Sequence, residues 1–273
     1  MNKVAVILTV YLNDSYSDFK ESITSLYLQS NQCFDIFIQE DGRVNSKIHN
    51  FLTNELKEKK IKFLGERSVN LGFDYSLNEL IEIVMSLDYE YIVRMDADDI
   101  SKSHRIEKQL FFMENNPSID ICGTHIQEFG DGFNYKKIVT YPLKHKDMFI
   151  FFNKRVPIAH VSAFFRRSYF IKAGRYKVDG HLNNGDTLMW MKGFMKGCNF
   201  ANIDFIGVKV RVTKSFFNRR GGWKKTKADF NNRMLVNKNL HYGFKSYIYA
   251  FFGALINLLP AIFKKYAYIY LRK

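Results

Sequence analysis

Residues 4–11 read Val-Ala-Val-Ile-Leu-Thr-Val-Tyr, a β-branched apolar stretch with almost no polar alternation. A strand of that kind buries both faces, which places it inside a mostly parallel sheet covered by helices on each side. Parallel neighbours need long crossovers, normally helices. The chain supplies them. Residues 14–29 have helical spacing, with Phe19, Ile23, Leu26 and Tyr27 on one face. Residues 34–39 form a second apolar run, 48–59 a second helical segment, 61–65 a third strand and 76–87 a third helix. A strand at 91–95, a helix at 105–115 and a further strand starting at 120–123 extend the series. This alternation predicts a doubly wound, Rossmann-like α/β sheet over residues 1–125.

Beyond residue 125 the pattern loosens. Strand-like stretches at 126–129, 137–141, 162–166 and 205–212 alternate with helices near 146–153 and 186–196. We expect residues 126–228 to be the second half of the same domain and 229–273 to be a separate extension. The 273 residues are 47% hydrophobic, enough for a sizeable core. Cys33, Cys122 and Cys198 are scattered and odd in number, with no CxxC or Cys/His cluster. That argues against a disulfide framework or structural zinc and fits a reducing compartment. The apolar start of the chain is too short for a signal peptide and reads better as a buried first strand.

No GxGxxG follows the first strand, so the usual dinucleotide fingerprint is missing. In open sheets of this class ligands bind beyond the carboxyl ends of the strands. Two acidic clusters fall there: Glu40-Asp41 after the second strand, and Asp96-Ala97-Asp98-Asp99 after the fourth. Acids this close repel one another unless a cation or donors compensate. Carboxylates on a turn suit a hard divalent cation that bridges phosphates. Alone, the cluster could equally be an acidic loop capping the helix after Ser103.

The order of motifs decides between these readings. It runs Thr9-Val10-Tyr11, Glu40-Asp41-Gly42, Asn70-Leu71-Gly72 with Asn78, then Arg94-Met95-Asp96-Ala97-Asp98-Asp99, followed by His104-Arg105 and Gln109. In this the chain resembles family 2 of the inverting glycosyltransferases, which have the GT-A fold, over roughly residues 3–225. It is most similar to bacterial members that build surface polysaccharides. The resemblance implies a nucleotide-sugar-binding half at 1–125 and an acceptor-binding half at 126–228. It implies that Thr9 and Tyr11 line the base and ribose pocket, and that Asp41, with Glu40 beside it, meets the base. Asn70, Gly72 and Asn78 would shape the loop near nucleotide and donor sugar. Asp98 would be the main ligand of Mn²⁺ or Mg²⁺, with Asp96 on the metal, sugar or ribose and Asp99 beside them. UDP is the default donor nucleotide, with GDP and dTDP also open.

Asp186, in Gly185-Asp186-Thr187-Leu188-Met189-Trp190, matches the family's general base. The family pattern has an acid where this chain has Gly185, a departure that weakens the match without removing the base. An ordinary helix N-cap would also explain Asp186. His160 and Trp190 are expected near the acceptor, a lipid-linked or cell-surface glycan. Arg211 and the basic run at 219–225 are expected to close over the diphosphate.

Charge is confined to one end. Residues 205–273 carry 15 Lys/Arg and one acid, Asp229, and account for the whole net charge of +14. Residues 246–263 contain no charge but are broken by Asn257 and Pro260. Basic flanks on both sides disfavour a simple membrane crossing. We expect this tail to lie on an anionic membrane surface, at the cytoplasmic face. A nucleic-acid-binding tail lacks recognisable recognition motifs, and no nucleic-acid partner is expected. A sugar nucleotidyltransferase would carry a Gly-rich basic loop where this chain has Tyr11-Leu12-Asn13-Asp14.

Overall fold

The computed structural model describes residues 3–130, 137–178, 185–213, 222–260 and 263. Strand β1 (Val4–Val10) is buried along its whole length. It pairs in parallel with β2 (Phe34–Glu40) and β4 (Tyr91–Arg94), and β2 pairs in parallel with β3 (Phe63–Gly65). The crossovers are α1 (Tyr16–Tyr27), α2 (Ser46–Lys57) and α3 (Phe73–Ser86). The two-residue period of β1 divides the core. Val4, Val6 and Leu8 pack with Phe19, Ile23 and Leu26 of α1 and with Ile48 and Leu52 of α2. Ala5 and Ile7 pack with Leu77, Leu80, Ile81 and Val84 of α3. The all-apolar run is thus explained: each alternate residue faces a different helical layer.

Then follow β5 (Ile100–Ser101), α4 (Arg105–Asn115), β6 (Ile121–Phe129), β7 (Lys137–Val139), α5 (His145–Phe152), β8 (Phe164–Arg166), α6 (Arg167–Ala173), α7 (Gly185–Met195), β9 (Phe200–Arg211), α8 (Trp223–Asn239) and α9 (Phe244–Leu258). The sheet order is β3-β2-β1-β4-β8-β6-β9-β5, with β7 alongside β6. The sheet is mixed but mostly parallel, as the α/β alternation led us to expect. β8 runs antiparallel between β4 and β6, and β5 runs antiparallel to β9.

Two differences from expectation have local causes. The stretches at 120–123 and 126–129 are one strand, β6, whose register against β9 shifts between Thr124 and Ile126. Such a bulge turns the side-chain alternation over and hides the continuity. The strand expected at 162–166 is shorter because His160–Ser162 form a 3₁₀ turn. The expected boundary at 228/229 falls inside α8, which buries Val236 and Leu240 in the core. α9 then presents a largely apolar outer face, with Phe244 just at its start and Phe251 and Phe252 exposed. No helix among the described residues is long and apolar enough to cross a membrane.

One buried cation ties the halves together. Arg105 is fully buried. Its Nη2 donates to the carbonyls of Arg94 and Val161, each at 2.9 Å, and its Nε to Gln109 Oε1 at 2.9 Å. Gln109 in turn donates to Ser162 O at 2.9 Å. Burial, followed by the nearby Arg94 charge, pulls the Arg105 pKa down to about 9. The pair fastens the end of β4 to the 3₁₀ turn. Arg105→Met is expected to strand these buried carbonyls and cost about 3–5 kcal/mol, read by denaturant unfolding.

Candidate active site

The carboxyl ends of β1, β2 and β4 form one rim. Thr9 is buried near the end of β1, opposite Gln39, and Tyr11 stands half-buried just beyond it. The Asp41 amide donates to Val10 O at 2.7 Å, which sets Asp41 beside Tyr11. Glu40 and Asp41 go to different partners. Glu40 is buried against His49 of α2 at 3.1 Å, and burial pushes its pKa up against the pull of that histidine. It is thereby engaged on the helix side.

Asp41 organises the loop before α3. It accepts from Arg67 Nη2 at 2.7 Å and from the amides of Leu71 at 2.9 Å and Gly72 at 3.1 Å. Asn70 Nδ2 donates to the Asp41 carbonyl at 3.0 Å. Gly72 has φ 98°, a conformation that a side chain resists, and so turns its amide toward the carboxylate. Asn78 acts elsewhere, clamping the backbone of Tyr176 with two hydrogen bonds of 2.9 Å. It shapes the site indirectly, through the segment after α6.

The acidic turn after β4 brings ligand atoms of Asp96, Asp98 and Asp99 within 4.8 Å of one another. Asp99 is 2% exposed, and burial together with Asp96 and Asp98 pushes its pKa well up. Asp96 and Asp98 are half-buried, and three carboxylates so crowded are a ready set of hard oxygen ligands. Arg94 Nη2 is ion-paired with Asp96 Oδ1. The Arg211 amide donates to Asp99 Oδ1 at 2.8 Å, and its Nε donates to the Asp98 carbonyl at 3.0 Å. Its guanidinium also meets Asp18 and Glu21 of α1. Arg211 therefore braces the acidic turn from β9. Of the basic run at 219–225, residues 219–221 lie outside the described residues and Trp223–Lys225 begin α8.

Asp186 opens α7. Its Oδ1 accepts from the Thr187 amide at 2.7 Å, as a carboxylate at a helix start should. A cavity of about 500 Å³ is lined by Arg94, Asp96, Asp99, His160 and Asp186, so these distant residues share one space. Its far wall is the inner face of α9: Tyr249, Ala250, Gly253, Ala254 and Asn257. His160 Nε2 lies 2.7 Å from the Tyr176 hydroxyl, amid the rings of Phe73, Tyr176 and Trp190. Trp190 is fully buried and backs His160 and Phe165. It cannot touch an acceptor directly, which corrects that expectation; its bulk and apolarity put it in the core.

Arg67 and Arg94 were not singled out from the chain. Arg94 carried a signal, since it directly precedes the acid cluster. Arg67 carried none, because its partner Asp41 is remote in sequence.

Acids on the strand-end rim thus share one cavity with Asp186 at the start of α7, an arrangement suited to group transfer. Residues 5–174 match glycosyl transferase family 2, and the chain belongs to that family: it is a glycosyltransferase. It is 31% identical to an uncharacterized glycosyltransferase of Haemophilus influenzae, over 99% of this chain and 100% of the relative. It is 24% identical to the UDP-Gal:alpha-D-GlcNAc-diphosphoundecaprenol beta-1,3-galactosyltransferase of Escherichia coli, covering 97% and 95%. The amylovoran biosynthesis glycosyltransferase AmsE of Erwinia amylovora is 26% identical, covering 97% of each chain. Among solved structures, S. aureus TarS 1–349 in complex with UDP-GlcNAc superposes with a TM-score of 0.64 at 11% identity, over 94% of this chain and 82% of that one.

Burial, then Arg94, holds the His160 pKa well below the usual imidazole range. Its ring is expected to stay neutral where a free imidazole would protonate, visible as an unmoved ¹⁵N shift. Because the unfolded chain takes up that proton first, this histidine should lower stability as pH falls below about 6.5.

Proposed function

We propose that the enzyme moves a sugar from a UDP-sugar to a hydroxyl of a lipid-linked glycan acceptor, in the assembly of a bacterial surface polysaccharide, by single displacement. The observation that carries this reading is the shared cavity, lined by Asp96, Asp99 and Asp186 together. The named substrates of the E. coli relative and the UDP-GlcNAc bound to TarS support the choice of donor.

Thr9, Tyr11 and Asp41 would meet the nucleoside, with the Asn70–Gly72 loop closing beside it. The acid cluster fits a divalent cation, since Asp99 is buried among like charges. Asp96 and Asp98 would hold Mn²⁺ or Mg²⁺, which when bound supplies positive charge to a departing diphosphate. Asp186 takes the proton of the acceptor hydroxyl. The freed oxygen bonds to the anomeric carbon as the carbon–phosphate oxygen bond breaks, and UDP leaves with that electron pair. One displacement inverts the anomeric configuration. Base removal of this kind is worth about 10²–10⁴-fold. His160, held neutral by its surroundings, would orient the acceptor.

The outer face of α9 would rest on an anionic membrane at the cytoplasmic side, its phenylalanines inserted and the neighbouring lysines on headgroups. Its inner face walls the cavity, which suits an acceptor whose lipid stays in the bilayer.

Asp186→Asn is expected to lower transfer at least 100-fold with UDP binding retained; full activity would remove the proposed base. Mn²⁺ should raise the melting temperature of the parent and leave that of Asp98→Asn unmoved. Flotation with phosphatidylglycerol vesicles should capture the parent, and replacing Phe251 and Phe252 with Ser should abolish capture.

A further inference from the structure

Gly185 has no side chain, and the place where one would begin is already filled. A Cβ built there would lie 2.2 Å from Asp74 Oδ1 and 2.3 Å from Oδ2. Asp74 belongs to the first turn of α3, two residues after the Gly72 amide that holds Asp41. Its carboxyl therefore lies against the start of α7, close to Asp186, Arg94 and Lys225, which line the cavity. It is half-buried and accepts no hydrogen bond from any described residue. A carboxyl partly withdrawn from water beside another carboxylate is costly to keep ionised. The groups around it are Asp186 on α7, Arg94 on β4, Lys225 on α8 and the Tyr176 hydroxyl. Burial first, then the Asp186 charge, raises its pKa to about 7, so near neutrality it can accept or donate a hydrogen bond.

We infer that Asp74 is a second substrate-binding carboxyl of the active site, a hydrogen-bond partner for a sugar hydroxyl, seated beside Asp186 by the glycine at 185. This rests on the reading of Asp186 as the base. The hydroxyl could come from the transferred sugar or from the acceptor sugar; the chemistry is the same.

The test is a double-mutant cycle read on kcat/KM for sugar transfer. Asp74→Asn and Gly185→Ala should each lower it about 10- to 100-fold, as loss of one charge-assisted hydrogen bond would. Gly185→Ala removes no functional group and only displaces the Asp74 carboxyl, so it should cost nothing further in an Asp74→Ala background. A donor-sugar contact would raise the donor KM and slow acceptor-free hydrolysis of the donor; an acceptor contact would raise the acceptor KM alone. A break near pH 7 in the parent's profile should vanish in Asp74→Asn. An acid that holds its proton more tightly when folded loses stability as pH climbs from about 4 to 7, so Asp74→Asn should also melt higher than the parent at pH 8.

Parent-like kcat/KM and pH profile in Asp74→Asn would overturn the inference, as would a fully active Gly185→Ala. An inactive Asp186→Asn beside a fully active Asp74→Asn would sink this inference and leave the base standing; an active Asp186→Asn would sink the base itself. Should Asp74→Asn fail to fold, Gly185→Ala still decides.

Discussion

Three carboxylates crowded onto one turn, one of them buried, are the constraint around which this enzyme is arranged. Asp96, Asp98 and Asp99 share one turn, and Asp99 has almost no contact with water. Such a cluster persists only if its surroundings are held rigidly and supply compensating charge. Arg94 pairs with Asp96 from β4, the backbone and side chain of Arg211 brace the turn from β9, and α1 anchors the far end of that guanidinium. Arg105, itself fully buried, fixes the carbonyl of Arg94 and links it to the turn that carries His160. The acidic turn is thus tied to four separate parts of the chain.

The same bracing explains why the two halves of the site meet. The Asp41–Arg67–Gly72 network sets the start of α3, and Asn78 on that helix clamps the Tyr176 backbone. Tyr176 then meets His160, and Trp190 backs His160 from α7, the helix that presents Asp186. Rim and Asp186 are connected by packed side chains, with β8 inserted between β4 and β6 so that the His160 turn arrives beside Arg94. In the proposed mechanism this rigidity would let the acid cluster and Asp186 meet a single substrate with little reorganisation.

Local pattern determined much of this. The unalternating first strand required two helical layers, and the layers are there. The acids after β2 and β4 lay at strand ends, where open α/β sheets bind ligands, and they do form one rim. The helix-start position of Asp186 was legible because a carboxylate suits a helix N-terminus. These features depend on residues close in sequence, so their physics can be read from the chain alone.

What the tertiary structure alone decided involves pairs remote in sequence. The antiparallel insertion of β8 depends on which edge is free when the chain returns, and no periodicity encodes that. Trp190 belongs to the core because Phe165, Tyr169 and Phe200 surround it, and Arg211 braces because Asp18 and Glu21 reach it from the other end of the chain. The glycine at 185 looked like a missing acid until Asp74, more than a hundred residues earlier, was seen to occupy its place. Burial and charge proximity are properties of three-dimensional neighbours, so the roles of these side chains follow only once those neighbours are fixed.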